Sequence, residues 1–113
     1  MSTESTAATT IGELHDTMMP LLEAMFSEFK ELSKKKPEAA VSKNKILVVN
    51  RLLEKIREIV AGETSLQYLD LLDVDDVPQV SDATLMLSQY VAAMKGFKDK
   101  YRRWNGSNHV WIV

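Results

Sequence analysis

Apolar residues recur along most of this chain at intervals of three and four, and the clearest run is KILVVNRLLEKIREIV, Lys45 to Val60. At about 100° per residue, Ile46, Val48, Val49, Leu52, Leu53, Ile56, Ile59 and Val60 fall within one arc of about 160°. Asn50, Arg51, Glu54, Lys55, Arg57 and Glu58 fill the opposite arc. So wide an apolar face exceeds the seam of a two-stranded coiled coil and suits a helix touched by two or more neighbours. A half-buried strand is excluded, because alternation would put Arg51, Leu53, Lys55 and Arg57 on one side of a sheet. Ser42 is the expected N-cap of this central helix and Gly62 the residue just beyond its end. Leu47 projects from the polar arc, an ordinary place for a single exposed leucine.

Upstream, Thr10-Ile11-Gly12-Glu13 has the form of a capping box, so a first helix is expected to begin at Thr10. The stretch 1–9 before it is small, polar and without periodicity, and is expected to be disordered. Ile11, Leu14, Met18, Leu21, Leu22, Met25, Phe26, Phe29 and Leu32 then share one face. Pro20 projects almost opposite that stripe, and the stripe keeps its phase across it, which predicts one kinked helix with the freed carbonyl in water. His15 lies close to the apolar face and reads as a partly buried, hydrogen-bonded histidine. Lys34, Lys35, Lys36 and Pro37 close the helix. With Lys43 and Lys45 they form a five-lysine corner that reads as solvated, and Pro37 to Ala40 is expected to make a short helical turn.

Between Glu63 and Asp82 there are six acidic residues and no Lys or Arg. Leu66, Tyr68, Leu69, Leu71 and Leu72 predict a short helix there that packs on the bundle, capped by Thr64 or Ser65. Asp73, Asp75 and Asp76 concentrate the charge. An EF-hand loop wants a central Gly and a distal Glu, whereas Val77-Pro78 follows here, so a solvated turn is expected. Ser81 or Asp82 should cap a last long helix reaching Trp104, with Met86, Leu87, Tyr90, Val91, Ala93, Met94, Phe97, Tyr101 and Trp104 on its buried face. Asn105-Gly106 ends it. The remaining tail closes in Val110, Trp111, Ile112 and Val113, unusually apolar for a chain end, and either folds back onto its own bundle or docks on another chain.

These elements give an all-α fold: an antiparallel bundle of three long helices plus one short helix over 10–104, with a short apolar C-terminal tail, 105–113. At 113 residues the chain suffices for a single core. Cysteine is absent, which removes disulfides, thiolate metal sites and a cysteine nucleophile. The net charge of −2 gives no overall attraction to nucleic acid or anionic lipid. No apolar run is long enough for a bilayer, and 1–10 lacks the features of a secretory signal, so a soluble, cytoplasmic protein is expected.

Candidate chemistry is sparse. Glu28 and Glu31 stand three apart on the first helix, a spacing that can hold a divalent cation, and are the weak metal candidates. This spacing resembles that of the all-helical nucleotide pyrophosphohydrolases, over four residues. Those enzymes use a second acidic pair on an adjacent helix; here Glu54 is followed at that spacing by Arg57 and Glu58 by Ala61. Glu-x-x-His pairs of di-iron bundles and Gly-rich phosphate loops are missing. Lys95, Lys98, Lys100, Arg102 and Arg103 interleave with Tyr101 and Trp104 in a pattern that can bind single strands, but the aromatics are in phase with the core, which argues against nucleic acid. The sequence therefore points away from catalysis and requires no cofactor. It points to a small interaction or oligomerisation module, binding a protein partner or itself through the tail (Val110, Trp111, Ile112, Val113), the acidic turn (Asp73, Asp75, Asp76) or the basic helix end (Arg102, Arg103). A metal-dependent nucleotide pyrophosphohydrolase and a single-stranded nucleic-acid-binding accessory protein are the alternatives.

Overall fold

A computed structural model describes the backbone of residues 3–113 and the side chains of residues 11–113. The chain is mostly helical, with three helices and one small sheet: α1 (Thr3–Lys35), α2 (Lys43–Ile59), α3 (Val80–Tyr101), and the strands β1 (Arg102–Trp104) and β2 (His109–Trp111). None of the helices among the described residues is long and apolar enough to cross a membrane.

The core forms where the three apolar stripes meet. α2 contributes Ile46, Val49, Leu53 and Ile56, α3 contributes Leu87, Tyr90, Met94 and Phe97, and α1 contributes Leu22 and Phe29, all buried. α1 runs unbroken through Pro20, whose side chain faces solvent, so the stripe's phase was a sound guide. Its start differs from expectation. α1 begins at Thr3, so Thr10 lies inside the helix; the good helix formers Ala7 and Ala8 favour the extension. Of the stretch expected to be disordered, 1–2 lie outside the described residues and the rest belongs to α1.

Ser42 caps α2 as the sequence suggests, its side chain accepting from the Lys45 amide at 3.2 Å. Gly62 has no left-handed backbone; the helix ends instead on Val60, whose amide bonds the Ile56 carbonyl. Pro37–Ala40 is a turn followed by an extended bridge rather than a helical turn: Ala40 pairs with Gln79, Val41 N donates to Pro78 O at 2.8 Å, and Val80 N to Ala39 O at 2.8 Å. Backbone pairing across the two inter-helix connections satisfies groups that a lone turn would leave in water.

The short helix expected in the acidic connection is replaced by two 3₁₀ turns, Thr64–Tyr68 and Val74–Asp76. Leu69 and Leu72 are buried, so the connection does pack on the helices, while Tyr68 points outward. The pin is Asn50: its Nδ2 donates to Leu72 O at 2.8 Å and its Oδ1 accepts from Leu72 N at 2.9 Å. Arg57 adds a bond to Leu69 O, and the Tyr90 hydroxyl donates to Asp70 O at 2.8 Å. Burial pushes the Tyr90 phenol up, against the opposing pull of Arg57. α3 is capped by Gln79, whose amide donates to Asp82 at 3.1 Å, two or three residues before the caps expected from sequence.

α3 also stops three residues early. At Tyr101 the chain turns into the β1–β2 hairpin, registered Arg102 with Trp111, Arg103 with Val110 and Trp104 with His109. The Asn105 side chain accepts from the Ser107 and Asn108 amides, and Gly106 takes φ 99°, a conformation that favours glycine. Trp104, expected in the core by helical phase, is thereby 59 % exposed. The all-α expectation is corrected to this extent: the end of the chain is a hairpin and not a helix with a tail.

Candidate functional site

Two places gather the residues that sequence and structure single out: a groove between α1 and α2, and the seat of the hairpin on α1 between Gly12 and Asp16.

The groove arises because the apolar stripes of α1 and α2 are wider than the core they enclose. Leu21 and Leu32, three turns apart on α1, and Val48 on α2 remain 53 %, 38 % and 48 % exposed. One part of the groove, ≈ 890 Å³, runs between Met25, Glu28 and Leu32 on α1 and Asn44, Lys45 and Val48 on α2. It continues past Met25, Glu28 and Val48 into a second part of ≈ 700 Å³, flanked by Met18 and Leu21 on one side and Arg51, Leu52 and Lys55 on the other. Late residues of α1 thus face early residues of α2.

The two banks differ in charge. Glu28 and Glu31 line the α1 side, and Lys45, Arg51 and Lys55 the α2 side; Lys35 is the one cation on the α1 bank. Glu31 pairs with Lys34 at 3.1 Å and Lys55 with Glu58 at 3.3 Å, both along their own helices and well exposed. Such pairs hold little energy. Glu28, Lys45 and Arg51 have no ion-pair partner among the described residues. Opposite Glu28 and Glu31 stand an amide, a cation and an apolar side chain, not a second pair of carboxylates. Among the described residues no cluster of three or more His, Asp or Glu is placed to hold a metal ion.

At the hairpin, Trp111 lies against His15 with ring centroids 4.8 Å apart and against Phe97 at 5.9 Å. Its Nε1 donates to the Asp16 carboxylate at 3.2 Å. The Arg102 guanidinium sits 5.3 Å from the Trp111 ring centroid and 3.6 Å from Asp16. Gly12 makes this approach possible: a Cβ there would stand 2.5 Å from Trp111 Cγ and Cδ1. His15 is fully buried. Its Nε2 lies 2.8 Å from the Met94 carbonyl, which can only accept, so Nε2 carries the proton, and Nδ1 has no partner among the described residues.

The partner-binding candidates are dispersed. Trp111 and Val113 pack on the chain's own core, Val110 is half-buried, and Ile112 is 56 % exposed. Arg102 is occupied by Asp16 and Trp111, while Arg103 is exposed and donates to the Asp99 carbonyl at 2.6 Å. Asp73, Asp75 and Asp76 are exposed; Asp73 accepts from the Asp75 amide at 2.9 Å. At the other end of the connection, Glu63 accepts from the Tyr101 hydroxyl at 2.7 Å and from Lys100 at 3.0 Å, and these two contacts hold its carboxyl below the usual carboxylate range.

Sequence reasoning missed the groove: it placed Leu21, Leu32 and Val48 on the apolar faces of their helices without separating the positions that are covered from those left open. The signal was present in the width of the stripes. It also missed Gly12 and Asp16, whose roles depend on a tryptophan almost the whole chain away. No family model matches the chain, and it matches neither a characterised protein sequence nor a solved structure.

Proposed function

We propose that this chain is a small protein-interaction module whose docking face is the groove between α1 and α2. In this reading the three helices form one antiparallel bundle, and α1 and α2 hold the banks of the groove at a fixed separation while α3 backs them. The observation that carries it is the row of exposed apolar side chains, Leu21, Leu32 and Val48, along one continuous groove with charged banks. Apolar residues grouped and rimmed by charge in this way suit a helical surface laid lengthwise, with anchors repeating every three or four residues. The tail, which the sequence offered as the partner-binding element, has its tryptophan engaged with its own chain. A soluble, cytoplasmic setting is part of the same proposal.

The test places a photoreactive phenylalanine analogue at Val48 and, as a control, at the exposed Gln67, and irradiates cells that express the protein. A discrete adduct at Val48 that disappears with Leu21→Glu supports the reading. Adducts no stronger at Val48 than at Gln67 would overturn it.

A further inference from the structure

The charge of the groove banks says which partner fits. An acidic bank on α1 and a basic bank on α2 are complementary to a surface with the same two banks exchanged, and this chain presents such a surface to itself. We propose that the groove is filled by the same groove of a second copy, related by a two-fold axis that runs along it, so that α1 of each protomer lies over α2 of the other. The proposal rests on the interaction-module reading and names its partner.

The axis follows from the charges. Two isologous arrangements bring the faces together. An axis across the groove stacks α1 on α1 and sets Glu28 and Glu31 against the same acidic stretch of the other copy. An axis along the groove keeps every residue at its own level and exchanges the banks. Glu28 and Val48 line both parts of the groove, and Arg51 is one turn from Val48, so Glu28 then meets Arg51 of the second copy; Glu31 likewise meets Lys45. Glu28, Lys45 and Arg51, which lack intramolecular ion-pair partners among the described residues, acquire them. Between the banks, Leu21, Met25, Leu32 and Val48 interdigitate to make a four-helix seam. Lys35, at the mouth, gains no partner.

The size of the face sets the class of interface. Met18 to Leu32 spans about 21 Å at the rise of an α-helix, and two helices side by side are about 20 Å wide. Each protomer therefore contributes about 400 Å² in projection, about half of a standard protein interface. An interface this small belongs with weak, reversible contacts, and its charge pairs, being at the rim, weaken as salt shortens the screening length.

Sedimentation velocity over a concentration series at low salt tests the proposal with the wild type and three variants at exposed positions, each checked for helicity. The expected results are a concentration-dependent dimer, at least a tenfold weaker one for Val48→Glu and for Glu28→Arg, and recovery to within about threefold of wild type when Glu28→Arg is combined with Arg51→Glu. A dimer that Glu28→Arg leaves undiminished, or that the double exchange fails to rescue, overturns the axis, because α1-on-α1 packing would set the new arginine against the acidic stretch of the other copy and relieve repulsion. A wild type that stays monomeric at several hundred micromolar overturns the second copy as occupant. If the Val48 photoadduct then carries a different protein, the interaction-module reading stands; if it carries none, both fall.

Discussion

Substituting Gly12 by alanine should dislodge the C-terminal hairpin, and the geometry gives a magnitude. The added Cβ would lie 2.5 Å from two ring atoms of Trp111 and 3.0 Å from its Cβ. Ordinary carbon contacts are about 3.5–4.0 Å, so the tryptophan must retreat by about 1 Å. Turning the ring cannot achieve this, because its own Cβ is also too close and is fixed by the pairing of Trp111 with Arg102. Retreat loosens the stacking on His15 and Phe97 and the bond to Asp16. Overpacking of this kind costs about 1–3 kcal/mol, against a gain of up to about 1 kcal/mol for Gly→Ala within a helix. The net expectation is a loss of about 1–2 kcal/mol, a fall in Tm of about 4–15 °C for a chain of this size. Gly96 is the internal control. It is also helical, but a Cβ there meets nothing within 4 Å, so Gly96→Ala should stabilise by about 0.5–1 kcal/mol. Thermal denaturation followed by circular dichroism, with Trp111 fluorescence read in a Trp104→Phe background, measures both. Equal stabilisation by the two substitutions, with Trp111 emission unchanged, would refute the seating of the hairpin on α1.

Asn50→Leu removes both side-chain bonds to the Leu72 backbone, and should cost about 2 kcal/mol in urea unfolding and speed amide exchange at Leu72 while leaving α3 protected. Glu63 has its carboxyl lowered in the folded state, chiefly by Tyr101 and then by Lys100. It therefore contributes stability that is complete above the unfolded carboxylate value and is lost as pH falls through the lower folded value; acid titration of unfolding stability should be flatter for Glu63→Gln, and an unchanged slope would contradict the contact. Val77 holds φ 48° while β-branched and exposed, so Val77→Asn, which tolerates that conformation, should raise stability by about 1 kcal/mol in the same assay.

The helices were legible because their signals are local. The face of Lys45 to Val60, the cap at Ser42 and the continuity of the stripe across Pro20 each depend on residues within a turn or two, and each appears where the periodicity puts it. Boundaries were less so: Gln79 begins α3 through a connection paired with Ala39 and Ala40, a contact between segments distant in sequence. The hairpin was hidden for the same reason. Trp104 and Tyr101 fit the helical stripe, and what draws the chain out of the helix is the seat for Trp111 at Gly12 and His15. As for the groove, periodicity assigned Leu21 and Val48 correctly to the apolar stripes but could not say how much of each stripe three helices and one connection would cover.

The central claim, that the banks of α1 and α2 meet another copy, is tested most directly by amide nuclear magnetic resonance spectra recorded on serial dilution at low salt. The account predicts concentration-dependent shifts clustered at Met18 to Leu32 and Asn44 to Lys55, with α3 and the hairpin unmoved. Shifts confined to Val110 to Val113, or spectra that do not change with concentration, would contradict it.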